Sequence, residues 1–153
     1  MNFKEDNSLL FYLKNPTCRF FTGYKPCPVA TKHNTTCPSV HCRLIKEKLL
    51  VIEMGGLGSI LRTTVVTKEF KKRHKNTHIT FLTNTYGAKA LTHSQSVDRV
   101  LIYDNNILPL LLVEEFDYLY NYEVNPVASS LTSLIKAKNK CGFGLSKLGI
   151  PYL

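Results

Sequence analysis

The sequence has no apolar run long enough to cross a bilayer. Uninterrupted stretches such as Leu9 to Leu13 fall far below the roughly 18 to 20 residues of a spanning helix. Nor does the N-terminal segment read as a secretory leader, because Glu5 and Asp6 precede a short apolar segment with no small-residue cleavage site. Internal repeats and low-complexity tracts are absent, as is any C-x-x-C knuckle. These absences point to a soluble, cytoplasmic chain with reduced thiols or a metal instead of a disulfide framework. With 153 residues, 44% of them hydrophobic, the chain can bury one core but is too short for two full-sized α/β domains.

Acidic residues are scarce: 11 Asp and Glu face 20 Lys and Arg, a formal charge of +9. The imbalance lies entirely in residues 1–75, which hold 14 bases against 5 acids; residues 76–153 hold 6 of each. Such asymmetry suits an anionic partner: nucleic acid, a phosphorylated substrate or an anionic membrane surface. Nucleic acid is disfavoured, since no recognition motif or interleaving of aromatic and basic residues accompanies the charge.

What is present divides at Leu44. Residues 1–43 carry four of the five cysteines and four of the seven prolines without a convincing apolar period, and read as a loop-rich segment needing an external constraint. From Leu44 onward, buried-strand patterns alternate with helical ones. Leu49 to Ile52 reads as a buried strand entering the glycine turn Met54-Gly55-Gly56-Leu57-Gly58. A helix is expected from Leu57 to about Lys75, with Leu57, Ile60, Leu61, Thr64 and Val65 on one stripe and Val66 and Phe70 off it, so that two faces can be covered. Further strands are expected at 78–82, 99–103, 118–120 and 140–144. Helices are expected at 86–93, 107–115 and from Asn125-Pro126 to about Ala137, the prolines sitting in first turns. This alternation specifies βαβ units, a doubly wound parallel sheet of Rossmann-like α/β class, and a ligand crevice beyond the carboxyl ends of the strands. Residues 54–59, 83–86 and 121–125 then share that rim. Cys141, on the fifth strand, reads as a small buried core residue.

The glycine turn alone permits more than one reading. Its backbone N–H groups open a helix N-terminus to an anion or polar sugar, and Gly56-x-Gly58 resembles a dinucleotide fingerprint. However, Leu61 stands where a third glycine belongs, and no Asp or Glu ends the second strand. A nucleotide-binding oxidoreductase domain is therefore an alternative, not the leading reading.

The longer string Leu50-Val51-Ile52-Glu53-Met54-Gly55-Gly56-Leu57-Gly58-Ser59-Ile60-Leu61-Arg62-Thr63-Thr64 resembles the opening of glycosyltransferase family 9, the ADP-heptose:lipopolysaccharide heptosyltransferases. Phe70 to Arg73 with His78 to Thr83, Val97 to Leu101, and the basic stretch Lys138-Asn139-Lys140 before Cys141-Gly142-Phe143-Gly144 are similar to later parts of that family. The resemblance covers residues 44–153 and implies the first, acceptor-side domain of a GT-B fold. On that resemblance, the half that would bind the nucleotide sugar is expected to lie outside residues 44–153.

It further implies metal-independent, inverting transfer from a nucleotide-sugar donor to a glycan or glycolipid acceptor, as in lipopolysaccharide biosynthesis. Gly55, Gly56, Gly58, Arg62 and Thr63 would lie against the acceptor. A general base would take the proton of the attacking hydroxyl. The family's turn ends Gly-Asp and the aspartate is its favoured base; here the position is Ser59, whose hydroxyl is no base at neutral pH. Glu53 and Glu123, both on the expected rim, are the candidate substitutes. This chain alone is expected not to turn over.

Cys18, Cys27, Cys37 and Cys42 could close a tetrahedral zinc site or hold an iron–sulfur cluster, ordering a segment that has no core of its own. Residues 18–27 also look like a cysteine-rich preface found on some family 9 proteins. A non-catalytic metal-binding or interaction protein built on these thiols is the other alternative. Lys68, Lys71, Lys72, Arg73 and Lys75 crowd the end of the first long helix, where cations meet the negative end of its dipole. They would equally suit peripheral attraction to an anionic glycolipid or to the inner membrane surface.

Overall fold

The computed structural model describes residues 17–23, 27–35 and 42–153. The chain divides into two units, Met1–Lys46 and Glu47–Leu153.

In the first unit Cys18 and Leu44 form an antiparallel bridge, flanked by Arg19 N–H donating to Arg43 O and Ile45 N–H donating to Thr17 O, each at 2.8 Å. One short helix, α1 (Pro28–Lys32), follows Cys27, whose Sγ accepts the Ala30 N–H at 3.3 Å. Pro28 presets the first helical φ, and its missing N–H is a donor the helix start would leave unsatisfied anyway.

The second unit begins with β1 (Glu47–Ile52), α2 (Leu57–Arg73), β2 (Thr77–Thr83), α3 (Thr85–Leu91) and β3 (Arg99–Ile102). It continues with α4 (Leu108–Val113), β4 (Glu115–Asn121), α5 (Pro126–Leu134) and β5 (Lys136–Gly142). A small antiparallel pair, β6 (Gly144–Leu145) and β7 (Pro151–Tyr152), closes it. β1 to β5 form a parallel sheet in the order β3-β2-β1-β4-β5, the arrangement that the alternation of strands and helices requires.

Strand alternation splits the core into two layers. Leu50 and Ile52 point into a cluster with Leu82, Leu111, Leu119, Leu131 and Ile135, while Leu49 and Val51 meet Ile60, Phe70, Ile79, Phe81 and Leu91 on the other face. The last four side chains of β1, Leu49 to Ile52, are fully buried, as expected for a central strand covered on both sides. Burial of Leu, Ile and Phe at this level contributes on the order of 1.5–3 kcal/mol per side chain.

Three expectations need correction. The buried face of α2 is Ile60, Thr63, Thr67 and Phe70, whereas Leu57, Leu61 and Val65 are 52%, 49% and 68% exposed. The threonines bury without penalty because their hydroxyls are satisfied locally: Thr63 donates to Ser59 O at 3.0 Å and Thr67 to Thr64 O at 2.9 Å. The last helix stops at Leu134, and residues 136 and 137 already pair with β4. Lys136, Lys138 and Lys140, spaced by two, follow the strand period. Cys141 is exposed, because β5 is the edge of the sheet and little covers it.

Candidate functional site

The chain leaves β1 and later leaves β4, its neighbour, at the point where the strand order reverses. In a parallel sheet that switch opens a crevice beyond the strand ends. Two acidic residues sit there: Glu53 directly follows β1, and Glu123 lies two residues beyond β4.

Both carboxylates converge on Gly55. Glu53, only 3% exposed, accepts the Gly55 N–H through Oε1 at 2.9 Å. A Cβ placed on Gly55 would lie 2.7 Å from Glu53 Oε1, 3.1 Å from Glu123 Oε2 and 3.7 Å from Ser59 Oγ. Only glycine leaves room for this arrangement. Glu53, Ser59 and Glu123, separated by up to 70 positions in sequence, therefore share one small volume. Gly56 and Gly58 are exposed with open space around them, so backbone is bare on the outer side of the turn.

Two asparagines hold the backbone of the site in place, Asn84 at the glycine turn and Asn121 at the end of β4. Asn84, which caps α3 by accepting the Gly87 N–H, donates from Nδ2 to Met54 O at 2.8 Å and Gly55 O at 3.0 Å. Asn121, 2% exposed, donates to Phe143 O at 2.7 Å and accepts the Glu123 N–H at 2.9 Å. Asn125 N–H donates to Glu123 Oε1 at 3.3 Å, which orients the carboxylate. Gly142 adopts φ +100°, and a Cβ there would overlap the Asn121 carbonyl oxygen, so the Gly142-Phe143-Gly144 segment is dictated by close backbone approach.

Not every residue marked from the sequence joins the group. Thr63 is buried and turned inward on Ser59 O, and Arg62 is exposed on the helix flank. Asn84 and Asn121 fall within the expected rim ranges 83–86 and 121–125 but were not singled out as functional residues. Their signals are modest: an asparagine three positions before a helical N–H, and one ending a buried strand. Among the described residues no three His, Cys, Asp or Glu side chains form a group that could hold a metal ion. Cys37 lies outside the described residues, so the four-thiolate set stands as an expectation from the sequence.

No family model matches the chain, and no curated protein matches it either. Solved structures do. The glycosyl transferase family 9 structure from Veillonella parvula DSM 2008 superposes with a TM-score of 0.54 at 19% identity, covering 63% of this chain and 32% of that one. The E. coli heptosyltransferase WaaC, solved with ADP, superposes with a TM-score of 0.56 at 13% identity, covering 61% of this chain and 34% of that one. The chain thus spans about a third of the length of these structures. What the likeness establishes is the fold: a Rossmann-like α/β arrangement shared with GT-B glycosyltransferases.

Proposed function

We propose that residues 47–153 form the acceptor-side domain of a heptosyltransferase-like enzyme. The complete enzyme would transfer a sugar from a nucleotide-sugar donor to a glycan or glycolipid, as in lipopolysaccharide assembly. The observation that carries the reading is the convergence of Glu53, Glu123 and Ser59 about Gly55, at the topological switch of a sheet built like those two structures.

The chemistry asks for a carboxylate within hydrogen-bond reach of the attacking hydroxyl. Glu123, half-buried beside Gly55, takes the proton of the acceptor hydroxyl as the acceptor oxygen attacks the anomeric carbon and the nucleoside diphosphate departs. Glu53, held on the Gly55 N–H, fixes the turn beneath it. Ser59 Oγ replaces the carboxylate that the resembling family carries here, and it serves as a hydrogen-bond partner for the acceptor instead of a base. Bare backbone at Gly56 and Gly58 lets a polar ring approach closely. A second domain would hold the donor nucleotide, and an anionic membrane surface would be the setting.

The test is acceptor binding by the purified chain, read residue by residue. Lipopolysaccharide inner-core oligosaccharides are expected to shift the amide resonances of residues 55–59 and 123, and Glu123→Gln to leave those shifts in place. ADP-sugars and NAD(H) are expected not to bind at ordinary affinity. Saturable NAD(H) binding centred on Gly56 and Gly58 would replace this reading with that of an oxidoreductase domain.

A further inference from the structure

The outward face of α2 has no role in the core or in the site. Around the helix, at about 100° per residue, Leu57, Lys68, Leu61, Lys72 and Val65 fall within about 80° of arc, centred about 140° from the buried side chains of Ile60, Thr63, Thr67 and Phe70. This strip is apolar in its first half and cationic in its second. Leu57, Leu61 and Val65 are each about half or more exposed, and Lys68, Lys72 and, just beyond the helix, Lys75 are exposed as well.

The charges on this helix are lopsided. α2 carries Arg62, Lys68, Lys71, Lys72 and Arg73 against a single acid, Glu69, which lies on its flank. Lys71 is turned aside to Asp98 at 2.7 Å, and Lys72 and Arg73 reach Glu69 at 3.4 and 3.0 Å across an exposed surface, where such pairs contribute little. The outer strip therefore presents three aliphatic side chains followed by a net positive field.

We propose that this face of α2 lies against an anionic bilayer, with Leu57, Leu61 and Val65 entering the boundary between headgroups and chains and Lys68, Lys72 and Lys75 engaging the phosphates. Charge complementarity selects this occupant: long lysine stems can bed in the interface while their ammonium groups stay among anionic headgroups. The contact is peripheral, because no helix among the described residues is long and apolar enough to span a membrane. It does not depend on the sugar-transfer reading. It does place the start of α2, and so the turn at Gly55, next to the lipid surface.

The experiment is co-sedimentation of the full chain with vesicles of phosphatidylcholine alone or mixed with phosphatidylglycerol. Binding is expected only to the mixed vesicles and should weaken as salt rises. L61E/V65E, at two exposed positions, should reduce partitioning at least tenfold with an unchanged circular dichroism spectrum and melting temperature. K68A and K75A should each reduce it about fivefold. Failure of the wild-type chain to bind mixed vesicles would overturn the proposal, as would undiminished binding of L61E/V65E, which would trace the attraction to cations elsewhere, such as those of residues 1–46. Concentration-dependent dimerisation abolished by L61E/V65E, without vesicle binding, would also overturn it by naming a second copy as the occupant.

Discussion

Glu53 and Glu123 leave adjacent strands and bring their carboxylate oxygens to within 2.7 and 3.1 Å of the point where a Cβ of residue 55 would stand. That relationship makes Gly55 the sterically decisive glycine of the turn. Gly55→Ala should push Glu53 off the backbone N–H it accepts and destabilise the fold by about 1–3 kcal/mol in denaturant unfolding. Gly58→Ala, in a helical position with open space around it, should be neutral or stabilising by up to about 1 kcal/mol. Equal effects from the two would contradict the packing described.

A second test concerns acid stability. Glu114 receives Lys48 Nζ and Arg99 Nη2, each at 2.6 Å, and Arg99 also donates to Thr80 Oγ1, so the network ties β1, β2 and β3 to the start of β4. Burial pushes the Glu114 carboxyl up, but the hydrogen bonds and charges of Lys48 and Arg99 outweigh it and hold the group below its ordinary value. A carboxylate depressed in the folded state stabilises the protein above its unfolded pKa and loses that contribution as pH falls through its folded pKa. The wild-type chain should therefore lose stability more steeply than Glu114→Gln on acidification below about pH 4.3, as followed by urea midpoints at stepped pH.

The backbone at Gly142 gives a sharper prediction. Its φ of +100° and its approach to the Asn121 carbonyl exclude any side chain. Gly142→Ala should cost about 3 kcal/mol or more in thermal or denaturant unfolding and disturb the amide resonances of residues 121 and 143 first. A variant as stable as wild type would show that this backbone conformation is wrong.

Much of the fold was legible because the strands announce themselves. Leu49 to Ile52 and His78 to Leu82 are short apolar runs between turn signals, and their alternation with helical segments admits few topologies. The face of α2 was not, because counting Leu57, Leu61 and Val65 as core ignored that Thr63 and Thr67 can bury once their hydroxyls bond the preceding turn. Cys141 misled for a related reason: small size permits burial, but the edge position of β5 decides exposure, and edge position is a property of the whole sheet. Within the site, the acids could be marked because strand ends are predictable, and Ser59 because the family resemblance sets it at the position of the favoured base. Asn84 and Asn121 act through side-chain bonds to backbone 22 to 30 residues away, which no local pattern encodes.

Asn121 joins fold and site most directly. Its amide links β4 to the Phe143 carbonyl while its oxygen accepts the Glu123 N–H, all within a nearly sealed environment. Asn121→Leu keeps a similar volume but leaves both backbone groups without their partner, at an expected cost of about 2–4 kcal/mol. Asn121→Asp keeps the acceptor toward Glu123 but sets a carboxylate oxygen against the Phe143 carbonyl, so it too should lower stability while retaining the bond to the Glu123 N–H. Hydrogen exchange separates the two roles: Asn121→Leu should accelerate exchange at both Glu123 and Phe143, whereas Asn121→Asp should leave Glu123 protected. If Glu123 exchanged equally fast in both, the Asn121 oxygen would not be what holds that carboxylate's backbone at the rim, and the positioning assigned to β4 would fail with it.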